Sequence, residues 1–254
     1  MISNQFEFKS TGGIALGLFY LPGGRIVDLG FSAKESKKGI TCDEPGFWRR
    51  KFDPGSERIN GWIVFATPLH LSVEELINSW ERDFPNSPIY GGLAHFDSEA
   101  GTTAVIWNDS VITDGSVAVD EYLEEFKRGD FLVRNLLAAD PSKGSLAVGA
   151  FPRVGQSVQF QIRDGKGASE ELEELIAIFR QEMKGKRIYG ACLSSCSGRG
   201  MGLFGVEYHD AANIYPLKKP QAQVGFFGNG DFGPVGRRNF VHGYTSSAVV
   251  FVDV

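Results

Sequence analysis

A chain of 254 residues with 42% hydrophobic and 22% charged content can bury one large core or two small ones, and its composition is that of an ordinary globular protein. The formal net charge of −5, with no cationic run longer than Arg49-Arg50-Lys51, argues against nucleic acid as a partner. No apolar run approaches a membrane span, no leader pattern opens the chain, and three unevenly spaced cysteines make no disulfide framework, so the expected setting is the cytoplasm, away from membranes.

Thirty-two glycines and twenty phenylalanines point to many short strands with tight turns and aromatic packing between layers. Residues 1–11 read as loose. Two strands, 14–20 and 25–31, flank a turn at Pro22-Gly23-Gly24. Residues 32–58 lack apolar periodicity and read as a long loop, whereas 61–67 is a continuous apolar run expected to be a strand buried on both faces.

A helix follows, opened by the capping box Ser72/Glu75, with Val73, Leu76, Ile77 and Trp80 on one face. Further strands are expected at 89–94, 103–107, 116–119, 131–137, 145–150 and 157–163, with a short helix at 121–127. Ser169 is expected to open the best-marked helix, with Leu172, Leu175, Ile176, Phe179 and Met183 on one face and Gly185 past its end. Strand 188–193, a helix or an irregular crossing at 205–216, strand 224–227, a turn at 228–231 and strand 245–252 complete the chain.

Pro88-Ile89-Tyr90-Gly91 and Arg187-Ile188-Tyr189-Gly190 both follow a helix, an echo that suggests two related halves. The expected fold is α+β: largely antiparallel or mixed sheets, helices packed on the outer faces, and two related sub-domains at 12–120 and 121–254. A doubly wound sheet is the second choice, because hairpins outnumber strand–helix–strand crossings.

Three stretches carry the chemistry. In the first, small residues and glycines around Arg199 (Cys196, Gly198, Gly200) suggest a backbone concavity for an anion with the guanidinium as its partner. Replacing Arg199 by Ala is therefore expected to abolish ligand-induced stabilisation and leave the fold intact. The second runs from Gly225 to Pro234 with Asn229 and Asp231 as its polar side chains, and the third holds His242, Tyr244 and Thr245. Asp231 alone is a turn residue or a ligand acceptor, and His242 a structural histidine or a base. Cys196, His242 and Asp231 or Asn229 are the types a thiol nucleophile needs. The four histidines are scattered and Cys192/Cys196 lack a second ligand pair, so no metal is expected; nor is a cofactor, since the Arg199 glycines lack the Lys-Ser/Thr of a nucleotide loop.

Ser195-Cys196-Ser197-Gly198-Arg199-Gly200, then Gly225-Phe226-Phe227-Gly228-Asn229-Gly230-Asp231-Phe232-Gly233-Pro234, then His242-Gly243-Tyr244-Thr245 resemble, in order, the motifs of the C-terminal domain of the FIST family (F-box and intracellular signal transduction proteins), with Asp231 where the family has Glu. Phe131-Leu132-Val133-Arg134 followed by Gly144-Ser145 resembles that domain's opening strand, and 89–94 the end of the family's N-terminal domain, inside which the chain begins as a shortened or partial version.

The resemblance implies a cytoplasmic sensory protein of signal transduction that binds a small molecule, an amino acid or small carboxylate, and signals through a protein partner or a homo-oligomer. Arg199 and the glycine N–H groups would take the carboxylate, and Asp231 or Asn229 the amine. The alternatives are a thiol-dependent hydrolase or transferase using Cys196, and an interaction scaffold without a small ligand.

Overall fold

One strand organises the molecule, and it runs straight through the stretch that its glycines mark as a turn. The structure, a computed structural model, describes residues 1–8, 14–23, 44–51, 59–67, 73–94, 105–107, 110–112, 136–148, 164–216 and 222–253. In chain order the elements are β1 (Ile2–Ser3), β2 (Phe6–Glu7), α1 (Phe47–Lys51), β3 (Trp62–Ala66), α2 (Val73–Asp83), β4 (Ile89–Ala94), β5 (Val105–Trp107) and β6 (Ser110–Ile112). They continue with β7 (Leu136–Asp140), β8 (Ser145–Val148), α3 (Gly165–Glu182), β9 (Ile188–Cys196), α4 (Met201–Phe204), α5 (His209–Ile214), β10 (Gln223–Val235), β11 (Arg238–His242) and β12 (Ser246–Val252).

The fold is α+β. Eight strands form one mixed sheet, while β5-β6 and β7-β8 are separate hairpins. Strand β10 pairs in parallel with β9 along residues 223–228 and antiparallel with β4 and β11 further on. The expected turn at 228–231 is instead an irregularity within β10, where the β4 register shifts between Gly228 and Asp231 and Gly230 takes φ +152°. Glycine supplies that backbone conformation, and partners on both edges keep the strand going. The two halves therefore share one sheet, and the echoed strands β4 and β9 both pair with β10.

Two apolar clusters hold the helices. Trp48 of α1, Leu76, Ile77 and Trp80 of α2, and Phe84 just past its end pack with Ile89, Leu93, Phe232 and Phe240. Ile176 of α3, Ala211 and Ile214 of α5, Leu193 of β9 and Ile2 form the other.

Helix α1 lies inside the predicted 32–58 loop. Asp83, at the end of α2, accepts from the N–H groups of Gly46 and Trp48, both at 2.8 Å, and the Trp48 indole donates to Ser79. A partner far along the chain thus supplies what local periodicity lacks. Helix α3 starts at Gly165, ahead of Ser169, because Asp164 caps it by accepting from Lys166 and Gly167. Its end matches the expectation: Gly185 follows at φ +90°.

Strand β3 pairs with β4 and leaves Ile63 and Phe65 exposed, so it is not buried on both faces. Residues 14–20 carry no strand: Phe19 packs on Phe251 and over Gly190, while Ile14, Leu16, Leu18 and Tyr20 face outward. The N-terminus is not loose. Ile2 is fully buried opposite Gly225, and Glu7 is buried on α5. The strands expected at 25–31, 116–119 and 157–163, the helix at 121–127 and the Ser72 cap lie outside the described residues. Among the described residues no helix is long and apolar enough to cross a membrane.

Candidate functional site

The end of β9 sends successive side chains to opposite faces of the sheet, as extended backbone requires. Leu193 and Ser195 share the face that α3 and α5 cover, and the Ser195 hydroxyl donates to Asp210 Oδ2 at 2.8 Å. Ser194 points the other way and donates to Asp231 Oδ1 at 2.6 Å. Two buried carboxylates therefore sit across the tip of one strand, and neither touches the other's hydroxyl.

Arg199 belongs to the Asp210 side. Its Nε and Nη2 form a fork on both oxygens of Asp210, at 2.6 and 2.8 Å, and its Nη1 donates to the Tyr244 carbonyl at 3.1 Å. The guanidinium lies 5.0 Å above the Phe204 ring. The two-point fork is the strong geometry for a guanidinium and a carboxylate. Burial pushes the Asp210 carboxyl up, but hydrogen bonds from Arg199 and His209, the Arg199 charge and the Ser195 hydroxyl outweigh it and hold Asp210 well below the usual carboxylate range.

Asp231 lacks such a partner. It is fully buried, and its second oxygen accepts from Thr245 Oγ1 at 3.2 Å. Burial pushes its carboxyl up to about 7, against the hydroxyls of Ser194 and Thr245 and the more distant Arg199 charge. Gly92 makes room for this arrangement. A Cβ at that position would overlap the Ser194 hydroxyl, lie 2.7 Å from the Gly230 carbonyl and touch Asp231. Gly92→Ala should therefore cost about 1–3 kcal/mol, read as a drop in the urea midpoint with unchanged slope.

The structure gathers most of the sequence-predicted residues at this tip. Cys196 is buried, its N–H donates to the Thr245 carbonyl, and its carbonyl accepts from Arg199 N–H. Gly198 and Gly200 flank Arg199, and Gly200 takes φ +82° as the chain enters α4. Asn229 is exposed, and its Oδ1 accepts from Ser197 Oγ at 3.2 Å. Tyr244 takes φ +62° and contributes its carbonyl to Arg199. His242 stands opposite Asp231 in the β10–β11 ladder and meets the Gly233 carbonyl through Nε2 at 3.0 Å. Arg134 lies outside the described residues.

Sequence reasoning missed the residues that bind this cluster together. Asp210 and His209 fall in 205–216, where the helix alternative holds at His209–Ile214 and an adjacent His-Asp pair in a short apolar helix is the available signal. Ser194 and Ser195 read as small residues in the sequence, yet two hydroxyls in a buried strand require partners. Glu7 accepts from Ala211 N–H at 2.9 Å; burial raises its carboxyl, the Ala211 and Asp210 N–H groups oppose the rise, and the Asp210 charge adds to it. A separate cavity of about 310 Å³, lined by Leu18, Tyr20, Pro22, Arg187, Tyr189 and Ala222, lies toward the other end of β9, on the order of 20 Å along the strand from Cys196.

Comparison with known proteins places the chain in a family. The FIST N domain model matches residues 10–121 and the FIST C domain model matches residues 105–234. The chain belongs to the FIST family, whose domains are associated with sensory roles in signal transduction. It is 42% identical over 137 residues to uncharacterized protein Mb0898c of Mycobacterium bovis, a stretch that covers 54% of this chain and 35% of that protein. Uncharacterized protein Rv0628c of Mycobacterium tuberculosis is likewise 42% identical over 137 residues, covering 54% of this chain and 36% of the relative. The matched stretch thus spans about a third of the length of these relatives.

Proposed function

We propose that this is a cytoplasmic sensory protein of signal transduction, which recognises a small molecule bearing an ammonium group, an amino acid foremost, at the tip of β9. The observation that carries the reading is Asp231: a fully buried carboxyl with hydroxyl partners and a pKa near neutrality. Strongly perturbed groups of this kind concentrate at functional sites. Burying a carboxylate without a counter-charge is unfavourable, and a ligand cation reverses that cost.

The Arg199 fork is turned to Asp210 and the Ser197 N–H donates to the Gly228 carbonyl at 2.7 Å, so, unlike the sequence expectation, the reading rests on the ammonium of the ligand and not on its carboxylate. Occupancy would be passed on through a signalling partner or a second copy of the chain.

A thermal-shift series with amino acids, their parent amines and their parent carboxylates tests the reading. Amines and amino acids should raise Tm and carboxylates alone should not. The shift should grow from pH 5 to pH 8, because an ammonium binds the ionised form of Asp231 and competes with its proton; Ser194, Thr245, Arg199 and Asp210 are the groups that set that ionisation. Equal shifts in Asp231→Asn, or shifts with carboxylates alone, would remove Asp231 from the binding site.

A further inference from the structure

On the covered face of the sheet, a second constellation uses neither of the hydroxyls that donate to Asp231. His209 Nδ1 lies 3.0 Å from Asp210 Oδ1, and His209 Nε2 lies 2.7 Å from Ser169 Oγ on α3. The tautomer follows from the partner. An ionised carboxylate only accepts, so Nδ1 carries the proton, and in the neutral ring Nε2 is left to accept from the Ser169 hydroxyl.

Every member is held in place. Both oxygens of Asp210 are fixed by the Arg199 fork. The imidazole is stacked on Phe204, with centroids 3.5 Å apart and planes within 8°. Ser169 is half-buried, so the relay runs from a buried acid to a hydroxyl that solvent partly reaches.

We propose that Ser169, His209 and Asp210 act as nucleophile, base and orienting acid for transfer of an acyl group from a carboxylic ester to water. In the first half-reaction Ser169 Oγ bonds to the acyl carbon while its proton passes to His209 Nε2. The carbon–oxygen bond to the alcohol then breaks, and the alcohol leaves with that proton. In the second half-reaction His209 takes a proton from water, whose oxygen attacks the acyl carbon. The Ser169 ester breaks, Oγ recovers the proton, and a carboxylic acid departs. The sum is ester plus water giving acid plus alcohol, with no oxidant or other reactant.

This order of groups is the general signature of an activated nucleophile. Asp210 is a positioning residue, because Arg199 already balances its charge.

The test treats the full chain with p-nitrophenyl butyrate and maps the adduct by peptide mass spectrometry. A burst of nitrophenolate and a butyryl group on Ser169 are expected, and Ser169→Ala should abolish both at a near-natural Tm. His209→Ala should slow acylation about a hundredfold or more, the usual contribution of a positioned base. Acylation no faster than in the urea-unfolded chain, an adduct on another residue, or an unchanged rate in His209→Ala overturns the proposal. If either variant fails to fold, the adduct mapped on the natural chain decides. None of these readouts depends on amine binding at Asp231.

Discussion

Asp231→Asn should make the folded chain more stable than the natural one at pH 8 and leave the two nearly equal near pH 4. The folded carboxyl titrates near 7 instead of at its ordinary value of 3.8. Between those values the folded state holds a proton that the unfolded state has lost. Stability therefore falls as pH rises through this window, and the full penalty is present above about pH 7. A displacement of this size corresponds to up to about 4 kcal/mol. The amide carries no charge to bury, and the Ser194 and Thr245 hydroxyls can rotate, one to donate to Oδ1 and the other to accept from Nδ2. Urea titrations at pH 4, 6 and 8 measure the gap. A natural chain whose stability is flat across that range, or a variant that is weaker at pH 8, would sink the idea that this carboxyl is held at a cost. Natural proteins keep such costs where function requires them, which links this prediction to ligand recognition.

What could be read from residues alone follows from the range of the interactions involved. Helices α2 and α3 and strands β4 and β9 declare themselves, because their apolar spacing is local and their cores lie directly beneath. Strand β10 does not. Five of the residues from 225 to 234 are Gly or Pro, which reads as a turn in one dimension, whereas in three dimensions β9, β4 and β11 hold it extended. Helix α1 exists because Asp83 reaches back to Gly46 and Trp48, and Ile2 is fixed by a strand more than 200 residues away.

The site shows the same division. Its backbone frame, Cys196 to Gly200 and 225–234, was visible in its glycines, and Asp231 in its place among them. The charge pairing was not visible. In the sequence Arg199 reads as a cation for a ligand, but its counter-ion stands eleven positions on, in a six-residue helix whose residue types alone do not separate it from an irregular crossing. Residue types identify which groups need partners. Only the fold decides whether a partner comes from within the chain.

That difference reverses one expectation outright. Arg199→Ala should not leave the fold intact; it should destabilise the protein by about 3–5 kcal/mol at pH 7, because it strands Asp210 as an uncompensated buried charge. The loss should depend on pH with a definite sign. In the natural chain Asp210 is held below the usual range, so its pairing contributes stability above the ordinary carboxyl pKa and loses it as pH falls below that value. In the variant the carboxyl is raised by burial, and its penalty disappears as pH falls toward 4 and the group takes up a proton. The gap between the two proteins should thus be widest near neutrality and narrow toward pH 4. Adding Asp210→Asn to Arg199→Ala should recover part of the loss at pH 7, because the amide removes the stranded charge while its oxygen still accepts from Ser195 or His209. Urea unfolding of the four proteins at pH 4.5 and 7.5 closes the cycle. A single variant that loses less than about 1 kcal/mol, or a double variant weaker than Arg199→Ala at pH 7.5, would show that the fork is not what holds α5 against the tip of β9.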